Sequence, residues 1–294
     1  MTRLRYTARL IVLAMLCLPF GTQAVAQFET RASISTGAYV PVSLLVGDFN
    51  RDGKFDVAVV NYLPTGNVMI FLGNGDGTFR AGASYAAGLQ PFRAATASLR
   101  NNGILDLVVS DRLSNDVNVF LGNGDGTFQA PVAVPTSGES AAVSVGGFPG
   151  HGRLDLLVLE GYNCNCVEVL PGNGDGTFGV PETTPLPYSM SGYAMGVADF
   201  NDDGKLDVAV SGESLPNYQV GVLLGNGDGT FRADGFYLVA PSPESVAPGH
   251  FRSGKKVDLA VGNYEGNSIS VLLGNGGGSS AKPWITTPRT PLSW

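Results

Sequence analysis

Short apolar runs, each introduced by an aspartate, recur along the chain at Val57–Val60, Leu107–Val109, Leu156–Leu159, Val208–Val210 and Leu259–Val261. Runs this short and this continuous predict strands buried on both faces. Behind each lies a segment of period two, such as Val117, Val119 and Leu121, or Ile269, Val271 and Leu273, which predicts a second strand with one apolar face. A turn such as Asn74-Gly75-Asp76-Gly77 follows, combining two hairpin signals, and a further strand runs from Phe79 past Gly82. With a leading strand such as Val42–Val46, each unit reads as four strands. A helical period is not evident after residue 26.

The units repeat. LGNGDGTF or a near copy places its first glycine at Gly73, Gly122, Gly172, Gly225 and Gly274, at spacings of 49, 50, 53 and 49 residues. Four strands in about 40 to 50 residues fit one propeller blade, so the expected fold is an all-β propeller of four-stranded blades. Phe28 matches Phe79, which makes Phe28–Thr36 a fourth strand without the three before it, while the last repeat stops after its third strand. The N-terminal strand is therefore expected to complete the last blade and close a ring of five blades, removing two free edges.

Before two of the apolar runs the chain reads GDFNRDGKFD and ADFNDDGKLD. Alternate residues of a tightly curled loop point inward, and these loops carry oxygen side chains at positions 1, 3, 5 and 9 with glycine at 6, a calcium-loop pattern. The expected ligands are Asp48, Asn50, Asp52, the Lys54 carbonyl and Asp56 in one loop, and Asp199, Asn201, Asp203, the Lys205 carbonyl and Asp207 in the other. Gly53 is expected at positive φ. A strand rather than a helix follows each loop, and the Glu of an EF-hand is missing at position 12. The same positions elsewhere read Ser98, Arg100, Asn102 and Asp106; Gly147, Pro149, His151 and Asp155; and His250, Arg252, Gly254 and Asp258, so these loops should hold no calcium. Their last aspartate is expected to cap the loop by accepting backbone N–H bonds. Asp76, Asp125, Asp175 and Asp228 of the GNGDG copies are read as turn residues.

Residues 1–26 read as a secretory signal, with Arg3, Arg5 and Arg9, an apolar run Leu10–Phe20 and Ala24-Val25-Ala26 before Gln27. Loss of three arginines and no acids takes the formal charge from −7 to −10. That acidity argues against nucleic acid, which needs cationic patches. Beyond residue 26 no segment reaches the roughly 18 uninterrupted apolar residues of a membrane helix. Cys164 and Cys166 suggest a local bridge or two free thiols in a turn. Residues 279–294 lack repeat character and form a C-terminal tail.

The two DFNxDGKxD loops, the D[VL][AV]V strands and the repeated LGNGDGTF together resemble the FG-GAP/VCBS repeat family, the calcium-loop propellers related to the integrin α-subunit head, over 28–278. The resemblance implies a propeller with calcium loops on one rim. Seven blades are commoner in that family, so a fragment of a larger ring is the alternative to a closed five. The opposite rim, formed by the 4-to-1 and 2-to-3 connections, carries Tyr62, Tyr162, Tyr218 and Tyr264, side chains suited to stacking on a sugar or anchoring a protein.

The expectation is an exported, monomeric, calcium-binding propeller with about two calcium sites that binds a glycan or a surface protein without catalysis. A carbohydrate-active enzyme of lyase or hydrolase type, and a purely structural repeat module, are the alternatives. A convergent acid and base are not found: His151 and His250 fall in departed calcium loops, and no G-x-S-x-G or H-E-x-x-H occurs.

Overall fold

The computed structural model describes residues 33–37, 40–148, 150–161, 164–186, 191–214 and 217–276. The expected signal segment 1–26, the expected tail 279–294 and Tyr162 lie outside them. The chain divides into two units, Met1–Ile34 and Ser35–Trp294. Of the first only Ser33 and Ile34 are described; the second carries every strand.

Five antiparallel sheets follow one another in chain order, each a blade. Blade 1 is β1 (Val40–Gly47), β2 (Asp56–Tyr62), β3 (Asn67–Gly73) and β4 (Phe79–Ala86); blade 2 is β5 (Pro91–Ala97), β6 (Asp106–Asp111), β7 (Asp116–Phe120) and β8 (Val132–Pro135). Blade 3 is β9 (Ser140–Gly146), β10 (Asp155–Glu160), β11 (Cys166–Leu170) and β12 (Glu182–Pro185). Blade 4 is β13 (Ser191–Ala198), β14 (Asp207–Ser214), β15 (Asn217–Gly225) and β16 (Phe231–Leu238). Blade 5 has three strands, β17 (Pro243–Gly249), β18 (Asp258–Asn263) and β19 (Ser268–Leu272). The expected all-β propeller of five blades is the observed fold.

The continuous apolar strands are buried on both faces because a blade packs on each side of them: Leu156 to Leu159 of β10 are completely inaccessible. Leu156 and Val158 point into the core shared with blade 2, Leu157 and Leu159 into that shared with blade 4. The fourth strands of blades 2 and 3 are short for a covalent reason. Phe128 and Phe178 pair singly with Gly122 and Gly172, and then Pro131 and Pro181, which have no N–H, interrupt the ladder before β8 and β12 begin.

Neighbouring blades share four hydrophobic cores, between blades 1 and 2, 2 and 3, 3 and 4, and 4 and 5. A fifth, between blades 5 and 1, is not formed among the described residues. Leu44 and Val46 on the outer face of blade 1 are 62% and 53% exposed, and Ile269 on blade 5 is 58% exposed. The strand expected over Phe28–Thr36 is not seen in its described part: residues 33–36 form no strand, and 28–32 lie outside the described residues.

Candidate cation loops and the opposite rim

Every β-strand 1-to-2 connection ends at a fully buried aspartate whose two oxygens each accept a backbone N–H. Asp56 takes the amides of Phe49 (2.9 Å) and Gly73 (2.8 Å), and Asp155 those of Phe148 (2.9 Å) and Gly172 (2.8 Å). Asp106, Asp207 and Asp258 do the same with Leu99 and Gly122, Phe200 and Gly225, and Phe251 and Gly274. This aspartate thus ties its own loop to the third strand, the structural role expected of it.

In the two loops that keep every oxygen position, the remaining side chains brace the backbone. Asp48 accepts the amides of Asp52 (3.1 Å) and Gly53 (2.9 Å), Asn50 that of Asp52 and Asp52 that of Lys54. Asp199, Asn201 and Asp203 repeat the pattern toward Asp203, Gly204 and Lys205. Gly53 and Gly204 sit at φ 82° and 83°, as position 6 requires.

The other three loops are stabilised differently. Arg100 reaches from loop position 3 to Asp106 Oδ1 (2.6 Å) and the Gly122 carbonyl (2.6 Å). Arg252 does the same toward Asp258 and Gly274. In blade 3, His151 Nε2 lies 3.1 Å from Asp155 Oδ1. Each departed loop therefore supplies a basic side chain of its own to the buried carboxylate. Among the described residues, Asp56 and Asp207 receive none. Burial pushes the Asp207 carboxyl up to about 6, and the charges of Asp203 and Asp199 add to the shift. Lys54 stands only 3.8 Å from Asp52 on the surface, a weak pairing.

The donors of both complete loops are hard oxygens presented from one loop with a net negative charge, which is the chemistry of a calcium site. Their carboxylates are not drawn tightly together: among the described residues the one trio of acidic, Cys or His ligand atoms within 4.8 Å of one another is Cys164, Cys166 and Glu168. There the two sulfurs form a disulfide, so the local bridge rather than the free thiols is realised. The GNGDG aspartates serve turns, as expected: Asp125, Asp175 and Asp228 accept from the threonine two residues on, whose hydroxyl and amide hold each carboxyl below its usual range.

On the opposite rim the candidate tyrosines differ from one another. Tyr62 donates to Gln90 Oε1 (2.6 Å) and packs edge-on against Phe92, over which Arg93 and Arg112 lie at 4.7 and 4.8 Å from the ring centre. It is a bracing side chain between blades 1 and 2. Tyr218 is half-buried on β15, and Tyr264 is 74% exposed.

A second set on this rim escaped the sequence reading. The last buried residue of the second strand is polar in four blades: Asn61, Asp111, Glu160 and Asn263. Each retains one buried oxygen without a hydrogen-bond partner. The signal was legible as a polar residue closing each apolar run, five positions after the capping aspartate. Burial raises Asp111 to about 7 and Glu160 to about 8, with further contributions from Asp116 and Glu168 respectively.

The fold recurs in known structures. The periplasmic gluconolactonase PpgL of Pseudomonas aeruginosa superposes with a TM-score of 0.63 at 17% identity, over 83% of this chain and 69% of that one. A Lactobacillus plantarum protein gives 0.58 at 18% identity over 85% and 70%, and the Vibrio cholerae biofilm matrix protein Bap1 gives 0.53 at 18% over 84% and 39%. At such identities the likeness shows the fold alone. No curated protein matches the sequence. The model of the FG-GAP-like repeat matches three times in tandem, over residues 48–109, 99–158 and 147–210. These matches run from one aspartate-capped loop to the second strand of the next blade and span more than half of the chain, which belongs to the FG-GAP-like repeat family.

Proposed function

We propose that this protein is an exported, calcium-stabilised propeller that binds a glycan through the rim opposite its cation loops and carries out no chemistry. The observation that carries the calcium reading is the division among the five loops. Where Arg100, His151 or Arg252 pairs with the buried aspartate, at least one oxygen position of the loop is lost; where all the oxygens are kept, no basic side chain among the described residues reaches that aspartate. A divalent ion would supply the missing positive charge in loops 1 and 4. Asp48, Asn50, Asp52, Asp56 and the Lys54 carbonyl would hold one ion, and Asp199, Asn201, Asp203, Asp207 and the Lys205 carbonyl the other. Binding to the folded chain alone would raise its stability by mass action.

The rim opposite supports recognition rather than catalysis. It presents an exposed Tyr264 and hydroxyl and amide groups between blades, whereas both histidines are held in the loops on the other side, His151 at Asp155 and His250 against the Lys256 carbonyl. The test is the melting temperature of residues 27–294 with calcium and with chelator. Calcium should raise it in the parent, and Asp52→Ala combined with Asp203→Ala should abolish the difference. An equal calcium response in the double variant would remove the calcium reading. A glycan array probed with the same protein tests the binding reading.

A further inference from the structure

Blades 1 and 2 diverge at the rim away from the cation loops and leave a groove of about 610 Å³ between β3 and β4 on one side and β7 and β8 on the other. Its polar walls are two separate networks. On blade 1, buried Asn61 donates to Asn67 Oδ1 (2.9 Å), and Asn67 donates to Ser84 Oγ (3.0 Å). On blade 2, Asn118 donates to buried Asp111, and Ser114 donates to Asp116 Oδ1 (2.9 Å).

Each network is backed by an acceptor that no group among the described residues satisfies. Asn61 Oδ1 and Asp111 Oδ1 have no partner, and both residues are completely buried. Such buried oxygens are costly to leave unpaired, and both belong to the networks whose outer members, Asn67 and Asn118, line the groove. Gly88 in the groove wall packs directly on Asp111: a Cβ there would stand 2.5 Å from Asp111 Oδ2 and 3.0 Å from Asn118 Nδ2, so only a glycine fits between the groove and the carboxylate.

We propose that this groove is a binding site for a neutral saccharide. The inference rests on the reading of this rim as a glycan-binding surface and assigns the site within it. The lining holds no lysine or arginine, which disfavours an anion. Acceptors and donors occur together in the amides and hydroxyls of Asn67, Ser84, Ser114 and Asn118; a sugar hydroxyl, which both donates and accepts, matches that mixture, and an ammonium group does not. Ala87, Leu89 and Ala133 supply small apolar surface for the C–H face of a pyranose. The volume lies in the range of small-ligand sites and suits one or two sugar rings.

The experiment is an array of neutral oligosaccharides, followed by calorimetric titration of the best ligand into the parent and three variants. Asp116→Ala removes a wall acceptor, Ala133→Phe fills the groove from an exposed position, and Tyr264→Ala removes the exposed ring on blade 5. Melting of each variant confirms folding. The expected result is a loss of at least tenfold in affinity for Asp116→Ala and Ala133→Phe at unchanged melting temperature. Loss in Tyr264→Ala with parental affinity in both groove variants would overturn the assignment while leaving glycan binding intact. Absence of any glycan ligand would overturn both readings, and a groove that takes up calcium but no saccharide would overturn the assignment alone.

Discussion

At the first glycine of each LGNGDGTF copy, the backbone admits no side chain. A Cβ at Gly73, Gly122, Gly172, Gly225 or Gly274 would lie 1.9 to 2.3 Å from a main-chain carbonyl oxygen, that of Leu154 in the case of Gly172. The close approach exists because the amide of the same glycine donates to the capping aspartate, so two neighbouring constraints select one residue. Gly172→Ala must push apart backbone that cannot rotate away, and overpacking in a rigid interior costs about 1 to 3 kcal/mol or more. Urea unfolding should show a lowered midpoint with an unchanged m value. The glycine at position 6 of the cation loops is selected differently, by its positive φ with open space where a Cβ would stand. The positive φ of the position-6 glycine was legible in the sequence, whereas the close contact at the LGNGDGTF glycine was not, since a turn signal and a close contact are written with the same letter.

The loop between the first two strands was the most legible element. Its oxygen spacing, its glycine and its capping aspartate were visible because each is fixed by local geometry within nine residues. What the arginines do was only half legible: position 3 of loops 2 and 5 showed a guanidinium in place of a ligand, but not that it bridges the capping aspartate to the third-strand carbonyl. That exchange of ion for side chain is testable in loop 2. Ser98→Asp with Arg100→Asn restores a carboxylate at position 1 and an amide oxygen at position 3, beside Asn102 and Asp106 already in place. Isothermal titration should then find one more calcium bound than in the parent, with the added site lost again in Asp106→Asn. Unchanged stoichiometry in a folded variant would show that oxygen spacing does not suffice. The variant without calcium should be less stable than the parent, since Asp106 loses a buried ionic partner.

Across the whole molecule, the blades are joined by contacts that no single repeat reveals. The phenylalanine after loop position 1 packs edge-on against the GTF phenylalanine of the next blade, Phe49 on Phe128 at 5.7 Å and Phe148 on Phe231 at 6.1 Å. Repeat period and strand pattern made the blade number readable, whereas these pairs depend on which blade lies beside which. The polar residues ending the second strands were equally hidden in their effect, and they govern how stability varies with pH. Asp111 and Glu160 carry folded-state values of about 7 and about 8, above their ordinary carboxyl values. A raised carboxyl favours the folded state most where it is protonated, so this contribution is complete below the unfolded value and is lost as pH rises through the folded one. With the cation loops kept saturated with calcium, these two groups should therefore make melting temperature fall from about pH 4, where the unfolded carboxyls ionise, to about pH 8, and level off above it. Glu160→Gln keeps the shape of the neutral side chain and cannot ionise. It should make the fall shallower and end it near pH 7, where the contribution of Asp111 is exhausted. A variant whose pH profile coincides with that of the parent would show that Glu160 is already ionised in the folded protein at neutral pH.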